Sequence, residues 1–450
     1  MIPIGYDVNF NGLVGPTYNF SGLSQDNEAS VANRNQPSNP KAAALQVLEM
    51  MKFLSDLGIR QAVLPPHERP HIPTFRALGF GGSDRTIPEK VYQEMPEILL
   101  LGSSASSMWA ANVATITPSI DSIDHKVHIT PTNMSRTVHR TIETEFTAKT
   151  LKLIFPSTAY FTHHPALPFG KQFADEGSAN QCHFCSKNNH TGIHLFVYGD
   201  TSRQPYPPRE GISARQTLEA SQTLARSHRL NPERIIFAQQ STAALEAGIF
   251  HNDLISVGTN NLFFFHERAF EDEAFIMDTL RDKVKEHCDT DMYLIKVPNE
   301  EISLRHAIQT YLFNSQLIKL PDGAFTLIAP AECQTFNSIS RYLDNLTKDP
   351  EIPLRDIHYI NIRESMRNGG GPACLRLPAI LTQNEINAMH PNIFLTERLY
   401  TRLINWIEKH FREHLEPKDL ADPNLVDETQ QALDELTKIL DLGKIYSFQV

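Results

Sequence analysis

Basic residues are in the minority in this chain: 41 Lys and Arg stand against 52 Asp and Glu, a formal net charge of -11. A phosphate backbone would be repelled by that field, and no long Lys/Arg block offsets it, so nonspecific nucleic-acid binding is excluded. A small cationic substrate is not, because local carboxylates can attract one. Long apolar runs are lacking too. None approaches the length needed to cross a bilayer, and residues 1–10 lack the basic, apolar, small-residue order of a secretory signal. No membrane association is expected, and the cytoplasm is the expected location. Cysteine is scarce: five in 450 residues, at 182, 185, 288, 333 and 374. A low and odd number argues against a disulfide framework and leaves at least one thiol free.

What is present is ordinary core-building material. Hydrophobic residues make up 41% and charged residues 21% of the chain, the composition of a globular protein. The length permits one large domain or two or three smaller ones. Asn39 and Pro40 precede a helical stretch at 41–57, with Ala44, Val47, Leu48, Met51 and Leu54 as its buried stripe. Residues 64–73 are Pro-rich and are expected to run irregularly over the surface. Strand at 126–130, irregular chain near His139 and Arg140, and helix at 143–153 follow. The same grammar recurs as strand 193–198, helix 215–227 and strand 234–238. It recurs again as strands 254–257 and 262–265 about a turn at 258–261, then helix 271–287. Segments 292–297, 303–313 and 325–328 repeat the alternation, although no residue-level repeat proves duplication. Two amphipathic helices, 396–411 and 430–442, are expected to pack on the α/β body. Nothing between these segments reads as a long linker, so residues 1–450 are expected to form one catalytic domain, with the helical segment at about 396–442 packed on it.

The sharpest local signal is Asn368-Gly369-Gly370-Gly371-Pro372-Ala373-Cys374. Three glycines can take positive φ and let backbone approach a ligand closely, while Pro372 restricts the exit before a cysteine at the start of an apparent strand. Such a turn can project a thiol into a cleft. It can equally be a surface turn beside a small buried cysteine. Without the Walker lysine and hydroxyl residue it is not a phosphate loop.

A thiol nucleophile needs a neighbouring base or a lowered pKa, and a departing amine needs a proton. Gly248-Ile249-Phe250-His251-Asn252-Asp253 supplies candidates: in an extended segment His251 and Asp253 point to the same side, one to shuttle protons and one to grip a cation. Against this, His251 is one of 19 histidines and could simply bond Asp253. Glu176, in Asp175-Glu176-Gly177, also fits a solvated turn. Cys182-His183-Phe184-Cys185, followed by His190, contains a C-x-x-C with soft ligands for zinc, yet no second C-x-x-C exists. An ordinary loop is preferred there over a structural metal or a redox pair.

Gly12-Leu13-Val14-Gly15-Pro16-Thr17, Gly22-Leu23-Ser24, Asn27-Glu28-Ala29-Ser30 and Pro65-Pro66-His67-Glu68-Arg69-Pro70 join four later segments. These are Ala214-Arg215-Gln216-Thr217, Phe237-Ala238-Gln239-Gln240, Phe250-His251-Asn252-Asp253 and Asn368 through Cys374. In this order, and across nearly the whole chain, they resemble the N-succinylarginine dihydrolase family. That family is similar to amidinotransferases, arginine deiminases and dimethylarginine hydrolases. The resemblance implies a pentein fold, a five-bladed α/β propeller closing around a central cavity. It further implies Cys374 as nucleophile, His251 as general acid/base and Glu176 as the carboxylate that orients or activates it. The implied substrate-binding set is Ser21, Gly22, Leu23, Ser24, Gln25, Asp26, Asn27, Glu28, Ala29, Ser30, Asn112, His139, Arg140, Arg215, Asp253 and Asn368.

Arginines would hold the succinyl and α-carboxylates of the substrate and Asp253 its guanidinium. Tyr18 and Asp26 stand where histidine and glycine are expected in many relatives, and residues 182–190 also differ from the family pattern. The resemblance implies hydrolysis of succinylarginine in two rounds without metal or organic cofactor, a small-molecule substrate as partner, and a homodimer. An arginine-deiminase-like enzyme stopping at the ureido product is the neighbouring reading, and a noncatalytic ligand-binding protein a different one.

Overall fold

A computed structural model describes residues 5–186, 191–201, 214–320 and 322–449. The fold is α/β, and one arrangement is built five times. An outer strand lies antiparallel to a central strand, and a helical connection then returns the chain to a third strand parallel to the central one.

In chain order, β1 (Gly5–Gly12) is a central strand and β2 (Arg60–Leu64) its parallel neighbour, with the helix Pro40–Asp56 between them. β3 (Ala114–Thr117), β4 (Val127–Pro131) and β5 (Phe161–His163) form the second unit, across the helix Thr144–Ile154. β6 (Gln181–Phe184), β7 (Ile193–Tyr198) and β8 (Ile235–Gln239) form the third, across Leu218–Ser227. β9 (Ser256–Asn260), β10 (Leu262–His266) and β11 (Tyr293–Val297) form the fourth, across Glu273–Cys288. β12 (Gln316–Lys319), β13 (Phe325–Pro330) and β14 (Leu354–Ile360) form the fifth, across Asn337–Leu346. The first unit takes its outer strand, β15 (Arg376–Thr382), from the far end of the chain, antiparallel to β1. A short parallel pairing of His183 with Thr259 and Phe184 with Asn260 fuses the third and fourth units into a six-stranded sheet.

The central strands β4, β10 and β13 are buried along their whole length, which is why β10 reads as the unbroken apolar run Leu-Phe-Phe-Phe-His rather than as an alternation. The expected stripe on Pro40–Asp56 is buried as read, with Val47, Met51 and Leu54 at 1% exposure or less. Its partners include the closing helices Glu397–His410 and Pro423–Leu440, which add Leu403, Trp406, Leu433 and Leu436 to the same apolar cluster. Trp406 Nε1 donates to the Ala432 carbonyl at 2.8 Å, satisfying the one polar atom of a buried indole. The second closing helix starts seven residues before the expected 430, because Asp422 caps it and Pro423 takes its first turn, where a missing N–H costs nothing.

Other boundaries moved in ways that matter below. Residues 64–73 do not run over the surface: Leu64 through Pro70 are all buried. Prolines bring few N–H groups that need partners, and Arg69 is tied by its Nε to the Ser104 carbonyl at 3.1 Å and by Nη1 to the Glu68 carbonyl at 2.8 Å. The helix expected from 215 starts at Leu218, with Thr217 as its cap, so Arg215 precedes it. The strand expected at 254–257 starts at Ser256 and runs through most of the expected turn to Asn260, which takes φ 53°. The segment expected to be helical through 313 stops at Thr310. Tyr311 turns left-handed at φ 53°, and a short 3-10 turn, Leu312–Asn314, follows.

Candidate active site

Cys374 lies between the helix Arg363–Asn368 and β15, two residues before the strand. Of the three glycines, Gly369 alone has positive φ, 104°, and it ends that helix. The other two are required by close approach to protein rather than to ligand. A Cβ on Gly370 would stand 2.3 Å from the Trp109 ring, and one on Gly371 would stand 2.8 Å from Asn314 Oδ1. The turn is thereby pressed against two side chains that fix the position of the thiol.

Asn314 grips the cysteine from both ends. Its Nδ2 donates to Cys374 Sγ at 3.2 Å, and its Oδ1 accepts from the Cys374 backbone N–H at 3.2 Å. The thiol donates to Asp253 Oδ2 at 3.6 Å. Burial, followed by the Asp253 charge, pushes the Cys374 thiol well up from its ordinary value. Burial likewise pushes Asp253 up, against the pull of His251. The resting site therefore holds a thiol, and a cation is what it lacks electrostatically.

His251 Nε2 lies 2.5 Å from Glu176 Oε2, and both side chains are buried. Burial works to raise Glu176, but Arg215, then His251 and Arg140, outweigh it and hold the carboxylate down at about 2. Arg215 Nη1 is 3.8 Å from Glu176 Oε2, its Nη2 donates to Ser24 Oγ at 2.5 Å, and its guanidinium stacks 3.9 Å above the Phe250 ring. Glu176 is placed by Asn112, whose Nδ2 donates to the Glu176 carbonyl at 2.7 Å, and by Gln216, whose Oε1 accepts from the Glu176 N–H at 2.8 Å. The alternation expected of an extended 251–253 segment is absent, because Asn252–Leu254 forms a 3-10 turn. His251 nevertheless reaches Glu176, and Asp253 reaches the Cys374 thiol.

Most of these groups meet at one cavity. Of the expected residues, Ser21, Gly22, Leu23, Ser24, Asn27, Ser30, Asn112, His139, Arg140, Arg215, His251, Asn368 and Cys374 line it. Glu176 sits behind His251, and Asp253 lines a second cavity while touching the thiol. Gln25, Asp26, Glu28 and Ala29 are outside the wall, and Gln25 and Glu28 are exposed, because the helix Glu28–Ala32 turns its first residues outward. Asp26 stands 3.6 Å from Arg215, so its extra charge is met by an arginine. Tyr18 is buried, with its hydroxyl donating to the Glu364 carbonyl at 2.5 Å.

The wall of the cavity carries two arginines, Arg140 and Arg215, and, among the described residues, no carboxylate. Arg140 Nε donates to Glu143 at 3.1 Å, and its Nη1 reaches Asn112 Oδ1 at 3.5 Å. His139 beside it is pushed down to about 3 by burial and then by Arg140 and Arg215, so it is neutral. Asp253 and Glu176 stand behind the wall, Asp253 against the thiol and Glu176 between His251 and Arg215. Sequence reasoning missed Asn314, Phe250, Trp109 and Ser106 in this construction. No spacing signal could have found Asn314, because it comes from the 3-10 turn that interrupts an apparent helix.

The C-x-x-C is neither a pair nor a loop. Gln181–Phe184 is strand β6; Cys182 Sγ accepts from Asn252 Nδ2 at 3.7 Å and Cys185 Sγ from Asn260 Nδ2 at 3.3 Å, and none of the five cysteines is in a disulfide. His190 lies outside the described residues.

A family model described as succinylarginine dihydrolase matches residues 5–449. The N-succinylarginine dihydrolase of Marinobacter nauticus is 48% identical over 451 residues, spanning 100% of both chains. That of Legionella pneumophila is 46% identical over 454 residues, spanning 99% of both. Among solved structures, unliganded AgrE superposes with a TM-score of 0.48 at 12% identity, over 83% of this chain and 40% of the length of that one. With a family match from residue 5 to 449 and full-length relatives at 46% and 48% identity, the chain belongs to the succinylarginine dihydrolase family.

Proposed function

We propose that the chain hydrolyses N2-succinyl-L-arginine to N2-succinyl-L-ornithine, two ammonia molecules and carbon dioxide, consuming two waters, as a step of arginine catabolism. The observation that carries this reading is the convergence on one cavity of a buried thiol and a carboxylate-held histidine with two arginines, Arg140 and Arg215. The arginines suit the two carboxylates of the substrate, and Asp253 and Glu176 suit its guanidinium.

The guanidinium supplies the missing cation. Placed beside Asp253 and Cys374, it favours transfer of the thiol proton to His251, reversing the charge effect that holds the thiol protonated. Cys374 Sγ attacks the guanidinium carbon, and His251 protonates a terminal nitrogen, which leaves as ammonia. The remaining amidino-thioether is cationic and is stabilised by the nearby carboxylates. His251 next takes a proton from water, the hydroxide adds to the same carbon, and the C–S bond breaks to leave a ureido group. A second attack by Cys374 releases the second ammonia. Hydrolysis of that thioester leaves a carbamate, which loses carbon dioxide to give the amine. Glu176 acts through His251, fixing the ring and stabilising its charged form.

The same reading takes the five strand triplets as the blades of a closed pentein propeller, with residues 1–450 as a single catalytic domain. It also includes action without a cofactor, a homodimer, a cytoplasmic location and no nucleic-acid partner. A product-resolved assay with succinylarginine tests the reaction. Two ammonia per succinylornithine is the expected result. Accumulation of a ureido product at one ammonia per substrate would replace it with a deiminase, and unchanged turnover by Cys374→Ser would remove the covalent route.

A further inference from the structure

Away from the nucleophile, β6 and β7 place His183 and His194 directly opposite each other in an antiparallel pair, so both side chains leave the same face of the sheet. Their rings are 4.8 Å apart, edge to face. Asp121, from the connection between β3 and β4, reaches over that face. Its Oδ2 is 2.8 Å from His183 Nε2 and 3.0 Å from His194 Nε2. The side chain of Asp121 is 1% exposed, that of His194 7% and that of His183 19%. The other oxygen of Asp121 accepts from the Gly192 N–H at 2.7 Å, the kind of outer contact that aims a ligating carboxylate. Gly192 itself has to be glycine, because a Cβ there would stand 2.2 Å from His183 Nε2.

Both histidines line a second cavity, whose wall also includes Gln181, Asp253 and Arg376. The histidine side of the cluster therefore borders open space. None of its three residues takes part in the reaction described above, and among the described residues these three are the side chains whose ligand atoms gather within 4.8 Å of one another.

Two imidazole nitrogens and one carboxylate oxygen form a donor set of borderline softness. It suits zinc and its neighbours, whereas calcium and magnesium call for oxygen cages. Zinc bond lengths of about 2.0–2.2 Å in a tetrahedral site place neighbouring donors about 3.3 Å apart. The two observed contacts need open by only about half an ångström or less to admit the ion.

We propose that Asp121, His183 and His194 form a binding site for one divalent transition-metal cation of the zinc class, with a fourth position open to the second cavity. The bound ion ties the β6–β7 hairpin to the connection between β3 and β4, so it is structural, and turnover does not depend on it.

The test is metal uptake by the full-length Cys374→Ser protein, which removes the catalytic thiol as a rival ligand. After chelator treatment and dialysis it is titrated with zinc and with cobalt. About one equivalent of zinc is expected, with a rise in Tm, and a cobalt spectrum of nitrogen and oxygen ligation. His194→Gln and Asp121→Asn, introduced singly, should each lower uptake at least about tenfold, while the same changes in the wild-type background leave hydrolysis unaltered. Failure of the parent protein to take up stoichiometric metal overturns the proposal and leaves Asp121 as a hydrogen-bond acceptor for two imidazoles. Undiminished uptake in both variants, or a sulfur-to-cobalt charge-transfer band assigning the ion to Cys182 or Cys185, overturns it equally. The parent spectrum decides the matter even where a variant fails to fold.

Discussion

Two histidine–carboxylate clusters, one at Glu176 and one at Asp121, use the same chemistry in different company. His251 meets Glu176 at 2.5 Å on the cavity that holds Cys374. Asp121 meets His183 at 2.8 Å and His194 at 3.0 Å, and the two histidines line the second cavity. Burial opposes both carboxylates. Glu176 is held ionised first by Arg215, whereas Asp121 is held below the ordinary carboxylate range chiefly by His183 and then His194. Glu176 thus has a charge already balanced by an arginine, and its one histidine is free to exchange protons with a nucleophile's substrate. Asp121 shares itself between two imidazoles, and no arginine is among the described groups that hold it ionised. A His–carboxylate pair by itself says little about function; the third group decides.

Breaking each side of this comparison should separate chemistry from scaffold. The largest effect belongs to Cys374→Ser, which should lower kcat about 10⁴-fold or more, since loss of a nucleophile disables the whole catalytic unit. Single-turnover trapping and mass spectrometry of the wild type should find the substrate adduct on that residue. Asp121→Asn should leave kcat within about twofold, because it touches none of the reacting groups. Glu176→Gln should reduce kcat about 10²–10³-fold with KM changed little, because the His251 imidazolium loses its charged partner but the binding wall remains. Steady-state kinetics showing the loss in KM instead would make Glu176 a binding residue.

Acid unfolding sharpens the same contrast. The Glu176 carboxyl is held at about 2 in the folded chain against an ordinary 4.5. The folded state thus binds fewer protons than the unfolded one at acid pH, so the stabilisation is complete above pH 4.5 and is lost as pH falls from there through about 2. The difference corresponds to about 3 kcal/mol. Denaturant titrations of wild type and Glu176→Gln across that window should converge toward its acid end. Arg215→Gln should lower kcat/KM about 10–100-fold, chiefly through KM, by removing a charge-assisted contact to a substrate carboxylate. Among the residues at the thiol a smaller loss, about tenfold in kcat, is expected for Asn314→Ala, the worth of a hydrogen bond that aims the thiol. Preserved rates for that variant would mean that Trp109 and the glycine turn hold Cys374 unaided.

Local pattern recovered the elements whose cause is local. The stripe of Val47, Met51 and Leu54 needs only a helical period and one buried face, and β10 needs only a run of apolar residues. Elements shaped by distant partners were misplaced. Residues 64–70 read as surface chain because proline breaks periodicity, yet Ser104 and Glu68 supply the partners that let Arg69 be buried. Helix 303–313 looked continuous, but Tyr311 turns left-handed there, and that turn is what delivers Asn314 to the thiol.

The residue types at the site were legible as motifs: a glycine turn ending in Cys374, an His-Asn-Asp triplet at 251–253, and Arg215 before a helix cap. Their order along the chain identified the family, because order and type are one-dimensional properties. Which of them share a cavity is a property of five strand units brought together, with β15 returning from the far end of the chain to pair with β1. Tertiary structure alone moved Gln25 and Glu28 out to solvent, set Glu176 behind His251, and drew Asp121 over a histidine pair 62 residues away. The physical reason is that burial and charge act through space, so a carboxylate acquires its role from the groups that surround it after folding.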